Sequence, residues 1–175
     1  MNSPVDNSPS LSDQPLSGSD HNLAIGIVGL GAVAQAHLQA FELVDRLTIV
    51  SVCDVNIAVA KTLGEQYGAQ AYSDYHDLLQ AGGIDLVLVL TPAATHRAIV
   101  EAVAAAGIHV FCEKPLAVTL ADAEAMVAAC KNAAIKLFYG SCYRYLPAIV
   151  KARQLIQTGL IGDIQLMTEQ LVGGQ

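Results

Sequence analysis

Short apolar runs alternate with helical patterns along most of this chain. Few polar residues interrupt these runs, and such runs predict strands that are buried on both faces of a parallel sheet. The predicted strands are Leu23–Val28, Leu47–Cys53, Ile84–Leu90, Ile108–Cys112 and Ile135–Ser141.

The segments that follow the strands place their apolar residues at helical spacing. They predict a regular alternation of strand and helix, with glycine or a turn at most of the junctions. That alternation is typical of an α/β protein with a doubly wound parallel sheet, the Rossmann arrangement. The predicted helices are Ala32–Leu43, Asn56–Tyr67, a short helix capped by Ser73 and running to Leu79, Ala93–Ala106, Thr119–Ala133 and Pro147–Thr158.

Three parts of the chain differ in texture. Residues 1–22 are rich in Ser, Asp, Asn and Pro and predict a disordered tail, because they cannot bury enough apolar surface to fold. Residues 23–145 predict a dinucleotide-binding domain. Residues 146–175 hold one helix and a strand at Gly162–Val172, which we interpret as the first elements of a truncated C-terminal α/β domain.

Composition excludes several classes of function. The net charge of −7 argues against a nucleic-acid surface, and no apolar run reaches the ~20 residues that a membrane span needs. No secretory signal precedes the first strand, so we expect a cytoplasmic protein. The spacing of the cysteines matches neither a metal site nor a disulfide framework, which predicts reduced thiols and no metal at Cys53, Cys112, Cys130 and Cys142.

A G-x-G-x-x-A motif joins the first strand to the first helix. Gly29 permits a tight turn, Gly31 lets a pyrophosphate approach the backbone, and the small Ala34 permits close packing of helix on strand. The start of the helix adds free N–H groups and the positive end of its dipole. The loop that we expect to bind the cofactor consists of Gly29, Leu30, Gly31, Ala32, Val33 and Ala34.

Asp54 ends the second strand, about 20 residues after the glycine loop, where dinucleotide-binding proteins place the acid that binds the ribose hydroxyls. Taken alone, an aspartate here is more commonly a turn residue or the cap of the following helix. Its charge repels a ribose 2′-phosphate, so we expect NAD rather than NADP. A methyltransferase is the competing Rossmann-like enzyme, but the residues before the loop, Ile25–Val28, lack the acid that its motif usually has.

Further motifs follow the later strands in a fixed order. Thr91, Pro92 and His96 form T-P-x-x-x-H, and an E-K-P triplet begins at Glu113. The segments Tyr143–Pro147 and Thr158–Gly162 complete the series. Together with the first loop, these motifs resemble the Gfo/Idh/MocA oxidoreductases, which include glucose–fructose oxidoreductase and inositol dehydrogenases. The resemblance extends over about Leu23 to Val172.

This resemblance implies an NAD(P)-dependent dehydrogenase that transfers hydride between the nicotinamide and a sugar, inositol or related polyol. It implies that Lys114 assists proton transfer beside the nicotinamide. It also places Thr91, Pro92 and His96 along the cofactor site, with Glu113 helping to hold that site. Arg144 either faces the cleft or forms a salt bridge at the domain junction.

Two departures from the family bear on function. Ala93 stands where many members have Asn after T-P, and the chain lacks the C-terminal domain with its D-x-x-x-H motif. We therefore expect weak NAD binding without sustained turnover by these residues alone, and a homo-oligomer only in a longer form. The alternative is a stand-alone nucleotide-binding or regulatory module.

Overall fold

The structure, a computed structural model, describes residues 22–168. A single parallel sheet lies at its centre, and its strands are β1 (Leu23–Val28), β2 (Leu47–Cys53), β3 (Gln70–Tyr72), β4 (Leu86–Val89), β5 (His109–Glu113) and β6 (Leu137–Gly140). They are ordered β3-β2-β1-β4-β5-β6, and every neighbouring pair is parallel. This order confirms the predicted doubly wound fold.

Helices connect the strands on both faces of the sheet. They are α1 (Ala32–Phe41), α2 (Ile57–Tyr67), α3 (Tyr75–Ala81), α4 (Ala93–Ala105), α5 (Leu120–Asn132) and α6 (Pro147–Gln157), with a short 3-10 helix at Cys142–Tyr145. Side chains cap α2 and α5: the Asn56 side chain accepts from the Ala58 N–H, and the Thr119 hydroxyl accepts from the Asp122 N–H. Gly68 ends α2 in the left-handed conformation, which glycine adopts at little cost.

The uninterrupted apolar runs are explained by burial on both faces. On β4, Val87 and Val89 pack with residues of α3, α4 and α5, whereas Leu88 packs with residues of α1 and α2. Burying one such side chain contributes about 1.5–3 kcal/mol. A strand with no polar face is therefore stable only between two layers of helices, and its free carboxyl end is the part left open to a ligand.

Two details between β2 and β4 differ from the sequence-based expectation. Asp74, rather than Ser73, caps α3, because a helix that begins at Tyr75 brings the His76 N–H to 2.8 Å from Asp74 Oδ1. Strand β3 is absent from the predicted elements, since three residues are too few to show a period. It pairs with β2 alone.

The last described residues lie on the surface. Helix α6 has no buried residue. The predicted strand at Gly162–Val172 is wrong for residues 162–168, which form no strand because no described strand pairs with them, and residues 169–172 lie outside the described range. The predicted tail lies outside it too, except for Asn22. The domain boundary at 145/146 stays a prediction.

Candidate functional site

A cleft of about 740 Å³ opens at the carboxyl ends of β1, β2 and β4. It lies where the chain order reverses between β1 and β4, the position at which open α/β sheets bind their ligands. Seven of the predicted cofactor residues line it: Gly29, Gly31, Ala32, Val33, Asp54, Thr91 and Pro92.

The two loop glycines have different structural roles. Gly29 has a φ of +93°, and a Cβ there would lie 2.8 Å from the backbone nitrogen of Thr91. Gly29 thus lets the first loop pack directly on the loop after β4. At Gly31 a Cβ would meet nothing within 4 Å, so the space above this residue is open cleft. The absence of a side chain at Gly31 leaves room for a ligand against the backbone.

The start of α1 suits an anion. No side chain caps this helix, and its first turn has no acidic residue. The positive end of the helix dipole and its free N–H groups therefore face the cleft without a competing side chain. Within the loop, the side chains of Leu30 and Ala34 are buried and support it by packing.

The Asp54 carboxylate is held by the backbone on two sides. Its Oδ2 accepts from the Leu30 N–H and its Oδ1 accepts from the Asn56 N–H, both at 2.9 Å. Each carboxylate oxygen keeps a further acceptor site. A fixed carboxylate with spare acceptor capacity, in a cleft with the open Gly31, fits the ribose of a dinucleotide.

The opposite wall of the cleft is the loop after β4 and the start of α4. Pro92 precedes α4, and the Thr95 hydroxyl donates to Thr91 Oγ1 at 2.8 Å. Sequence reasoning missed Ala94, Thr95 and Ala98, which also line the cleft. Their helical spacing from Thr91 is a signal that could have found them.

His96 is placed differently from the expectation that it lines the cleft. Its side chain is completely buried. Its Nε2 lies 2.7 Å from the Thr91 carbonyl oxygen and its Nδ1 lies 3.1 Å from the Leu116 carbonyl oxygen. The imidazole is behind the cleft wall because the fourth residue after Pro92 faces the core side of α4.

Glu113 and Lys114 lie at the end of β5, outside the lining of this cleft. Glu113 Oε1 is 2.9 Å from Nε2 of His37 on α1, and its Oε2 accepts from the Lys114 N–H at 2.7 Å. The Lys114 side chain is exposed. The glutamate therefore holds the backbone from which the lysine projects.

Arg144 belongs to the 3-10 helix and also lies outside the cleft lining. Arg144 is exposed, and its backbone carbonyl oxygen accepts from the Arg153 guanidinium at 3.4 Å. Among residues 22–168, none of the side chains pairs with the Arg144 guanidinium in an ion pair.

Buried thiols lie behind the site. Burial raises the pKa of Cys112 to about 12, with smaller contributions from Glu113 and Cys130. Cys53, Cys112 and Cys130 are buried and Cys142 is exposed, and all are free thiols. No cluster of His, Cys, Asp or Glu within the described range could hold a metal ion, and no helix there is long and apolar enough to cross a membrane.

Comparison with protein-family models gives one match over most of the described chain. The Gfo/Idh/MocA model, an oxidoreductase family with an NAD-binding Rossmann fold, matches residues 23–141. D-apiose dehydrogenase of Paraburkholderia graminis is 37% identical over 137 residues, covering 78% of this chain and 36% of that protein. Myo-inositol 2-dehydrogenase of Thermotoga maritima is 34% identical over 141 residues, covering 80% and 42%.

Solved structures agree with these sequence matches. The WlbA dehydrogenase of Bordetella pertussis, in complex with NADH and UDP-GlcNAcA, superposes with a TM-score of 0.77 at 31% identity over 81% of this chain and 44% of that chain. An oxidoreductase of Agrobacterium radiobacter, in complex with NAD+, L-tartaric acid and magnesium, gives 0.77 at 34% identity over 81% and 42%. The chain spans about two fifths of the length of the relatives it matches.

Proposed function

This chain belongs to the Gfo/Idh/MocA oxidoreductase family, and we propose that its cleft binds NAD as the cofactor half of a dehydrogenase. One observation carries the proposal: the open glycine Gly31 and the fixed carboxylate of Asp54 share one cleft. Open backbone at a helix N-terminus suits a pyrophosphate, and a carboxylate suits the ribose hydroxyls. When bound, NAD supplies the hydride acceptor.

The loop residues divide into two roles in this proposal. Gly31, Ala32 and Val33 border the phosphates, since they line the cleft at the start of α1. Gly29, Leu30 and Ala34 give the loop its shape through packing. Thr91 and Pro92 form the facing wall.

Charge at the adenosine end favours NAD over NADP. Among the residues that the structure describes, no Lys or Arg lines the cleft, whereas Asp54 does. Burial is the main cause that raises the pKa of Cys53 to about 11, and the charges of Asp74, Asp54 and Asp77 contribute. These three carboxylates make the potential near the end of β2 negative. A ribose 2′-phosphate meets repulsion there and finds no cation.

Calorimetric titration of the chain with NAD and with NADP tests this proposal. We expect NAD to bind more tightly than NADP. Asp54→Asn should weaken NAD binding by about tenfold and reduce the difference in affinity between the two cofactors, because a charged acceptor is lost. Asp74→Asn is the matched control: it removes a neighbouring charge but keeps a good helix cap outside the cleft lining. Tighter binding of NADP to the unchanged chain contradicts the assignment.

The substrate proposed for the complete enzyme is a sugar, inositol or related polyol. The named relatives act on D-apiose and myo-inositol. Lys114 is the proposed catalytic residue: its ammonium would stand beside the reacting hydroxyl and stabilise the oxygen while the hydroxyl proton passes to solvent water and the hydride on carbon passes to NAD. The same proposal includes a contact of Arg144 with the site. It also includes a cytoplasmic location and self-association of the complete enzyme.

Replacement of Lys114 in the full-length protein tests its role. Lys114→Ala is expected to lower kcat by about 100-fold or more, the scale of a lost acid–base group, while the Kd for NAD changes little. Lys136→Ala is the control, because Lys136 precedes β6 at the opposite end of the sheet. Unchanged kcat in Lys114→Ala removes this lysine from the chemistry.

A second candidate function is nucleotide binding without turnover by these 175 residues alone. It is supported by the exposure of Lys114 and by the share of the relatives' length that the chain spans. Substrate positioning contributes up to ~7–11 kcal/mol to catalysis in well-oriented systems, so we expect these 175 residues by themselves to be nearly inactive. NADH absorbance, followed with a panel of inositols and sugars, decides this. Steady turnover by the isolated chain contradicts it.

A further inference from the structure

The buried imidazole of His96 has three polar neighbours. The Thr91 carbonyl oxygen lies 2.7 Å from Nε2, while the Leu116 carbonyl oxygen and the Cys112 Sγ lie 3.1 and 3.3 Å from Nδ1. Among the described residues, every buried side-chain nitrogen and oxygen has a partner. The proton on this ring therefore decides which contacts are attractive.

A ring with one N–H can donate to only one of the two carbonyls. Nε2 has the shorter contact, so we place the proton there, on Thr91. Nδ1 then presents a lone pair, and the Cys112 thiol is the donor within reach in the described part of the chain. The raised pKa of Cys112 keeps that thiol protonated at neutral pH.

A ring with two N–H groups would reach both carbonyls but would carry a positive charge. His96 is completely buried and lies in the first turn of α4. Burial penalises an unpaired charge, and the positive end of the helix dipole repels a cation. The ring with a single N–H is therefore the favoured form.

This arrangement connects the two walls of the proposed site. Cys112 lies on β5, two residues before Lys114, and Thr91 packs against Gly29 of the phosphate loop. We propose that the Cys112 thiol holds His96 as its Nε2–H tautomer, and that His96 is a positioning residue that fixes the Thr91 wall of the cofactor cleft. The positioning part rests on the proposed NAD site, whereas the tautomer does not.

Histidine-selective ¹⁵N NMR of the ligand-free chain at pH 7.5 tests the tautomer, with His96 assigned by loss of its signals in His96→Gln. We expect one protonated Nε2 and one unprotonated Nδ1. Cys112→Ala should mix the tautomers, whereas Cys112→Ser, which keeps a donor, should preserve the assignment. Cys130→Ala is the control, since this thiol is equally buried and is not bonded to His96. Protonated Nδ1, or an unchanged spectrum in Cys112→Ala, overturns the pairing.

Amide hydrogen exchange at Thr91–Thr95 and NAD calorimetry test the positioning. His96→Leu removes the donor and should speed exchange and raise the Kd for NAD by about tenfold, the effect of one buried hydrogen bond. His96→Gln keeps a donor near the position of Nε2, so its exchange rate and its Kd for NAD should both be close to those of the unchanged chain. If His96→Leu folds with unchanged exchange and Kd, the role is wrong. If the unchanged chain binds no NAD, the proposed function fails. The inference about His96 is then decided by the amide hydrogen exchange at Thr91–Thr95 and by the tautomer that NMR reports.

Discussion

The phosphate loop and the Lys114 loop form two sides of the proposed site, but they are fixed by different interactions. The phosphate loop is held through its backbone N–H groups by residues at the end of β2. The Gly29 N–H donates to the Cys53 carbonyl oxygen and the Leu30 N–H donates to Asp54 Oδ2, within one β–α–β unit. Glycines give that loop its shape and leave open space above Gly31. The residues that accept these hydrogen bonds belong to the same β–α–β unit, so the sequence motif of that unit contains most of the residues that shape the loop.

The Lys114 loop is held by side chains from distant helices. Glu113 pairs with His37 of α1, which is 76 positions away in sequence, and Leu116 lies against His96 of α4. The rings of His37 and Phe111 of β5 also meet in a T-shaped contact, with 5.4 Å between ring centroids. A short motif can thus indicate the proposed catalytic lysine, whereas the residues that hold its loop lie far away in sequence.

The largest effect that we expect separates the two glycines of the phosphate loop. Gly31→Val should fold normally and lose at least about 100-fold in NAD affinity, because its side chain fills the space required by the pyrophosphate. Gly29→Val should instead destabilise the fold by more than about 1–3 kcal/mol, since it adds a clash with Thr91 to a strained φ.

Calorimetry with NAD and thermal unfolding of both variants check this pair. Gly68→Ala serves as a control for a positive φ without a clash, because a Cβ there meets nothing within 4 Å. Normal NAD binding by Gly31→Val would show that the cofactor does not approach this loop.

Sequence reasoning succeeded where structure is local. The bounds of β1 and β2 agree with prediction because each is a mostly apolar run of strand length. Asp54 and the glycine loop lie together as their spacing suggests. The exposed strand predicted at Gly162–Val172 fails over residues 162–168 because strand formation depends on a partner, which an apolar pattern does not supply.

Long-range partners could not be predicted in the same way. His37 reads as one more residue on a helix face, and nothing near it in sequence points to Glu113. His96 stands in a motif associated with cofactor binding, yet its ring is buried behind the cleft wall. His96 lies at helical spacing with the apolar Ile99 and Val100, which indicates the core side of α4, but this spacing does not identify the atoms that its ring contacts.

An intermediate effect is expected from the His37–Glu113 pair. Both side chains are largely buried, at 22% and 14% exposure, so this contact counts for more than a surface ion pair. Glu113→Ala should lower the free energy of unfolding by about 1–2 kcal/mol, because the His37 ring and the Lys114 N–H both lose an acceptor.

A double-mutant cycle with His37→Ala, measured by denaturant unfolding, isolates the coupling between the two side chains. Arg97→Ala and Glu101→Ala provide a matched cycle for an exposed ion pair on α4, where we expect a smaller coupling energy. If the two cycles give equal couplings near zero, the Lys114 loop is not braced by α1.

The smallest effect concerns the buried thiols, one on each side of the site. The pKa is raised to about 11 for Cys53 and to about 12 for Cys112, chiefly by burial in both. In the unfolded chain each thiol loses its proton near its ordinary pKa of 9.0, whereas in the folded chain it keeps it. The unfolded state therefore binds fewer protons above pH 9, and the free energy of unfolding falls as pH rises. The fall continues up to the folded pKa of each thiol. Linkage gives a fall in the free energy of unfolding of roughly 0.7 kcal/mol per thiol between pH 8.5 and 9.5.

Urea unfolding across this pH range tests the prediction. The free energy of unfolding should depend less on pH in Cys53→Ala and in Cys112→Ala than in the unchanged chain. Equal pH dependence in all three would show that these thiols are not buried as the structure places them.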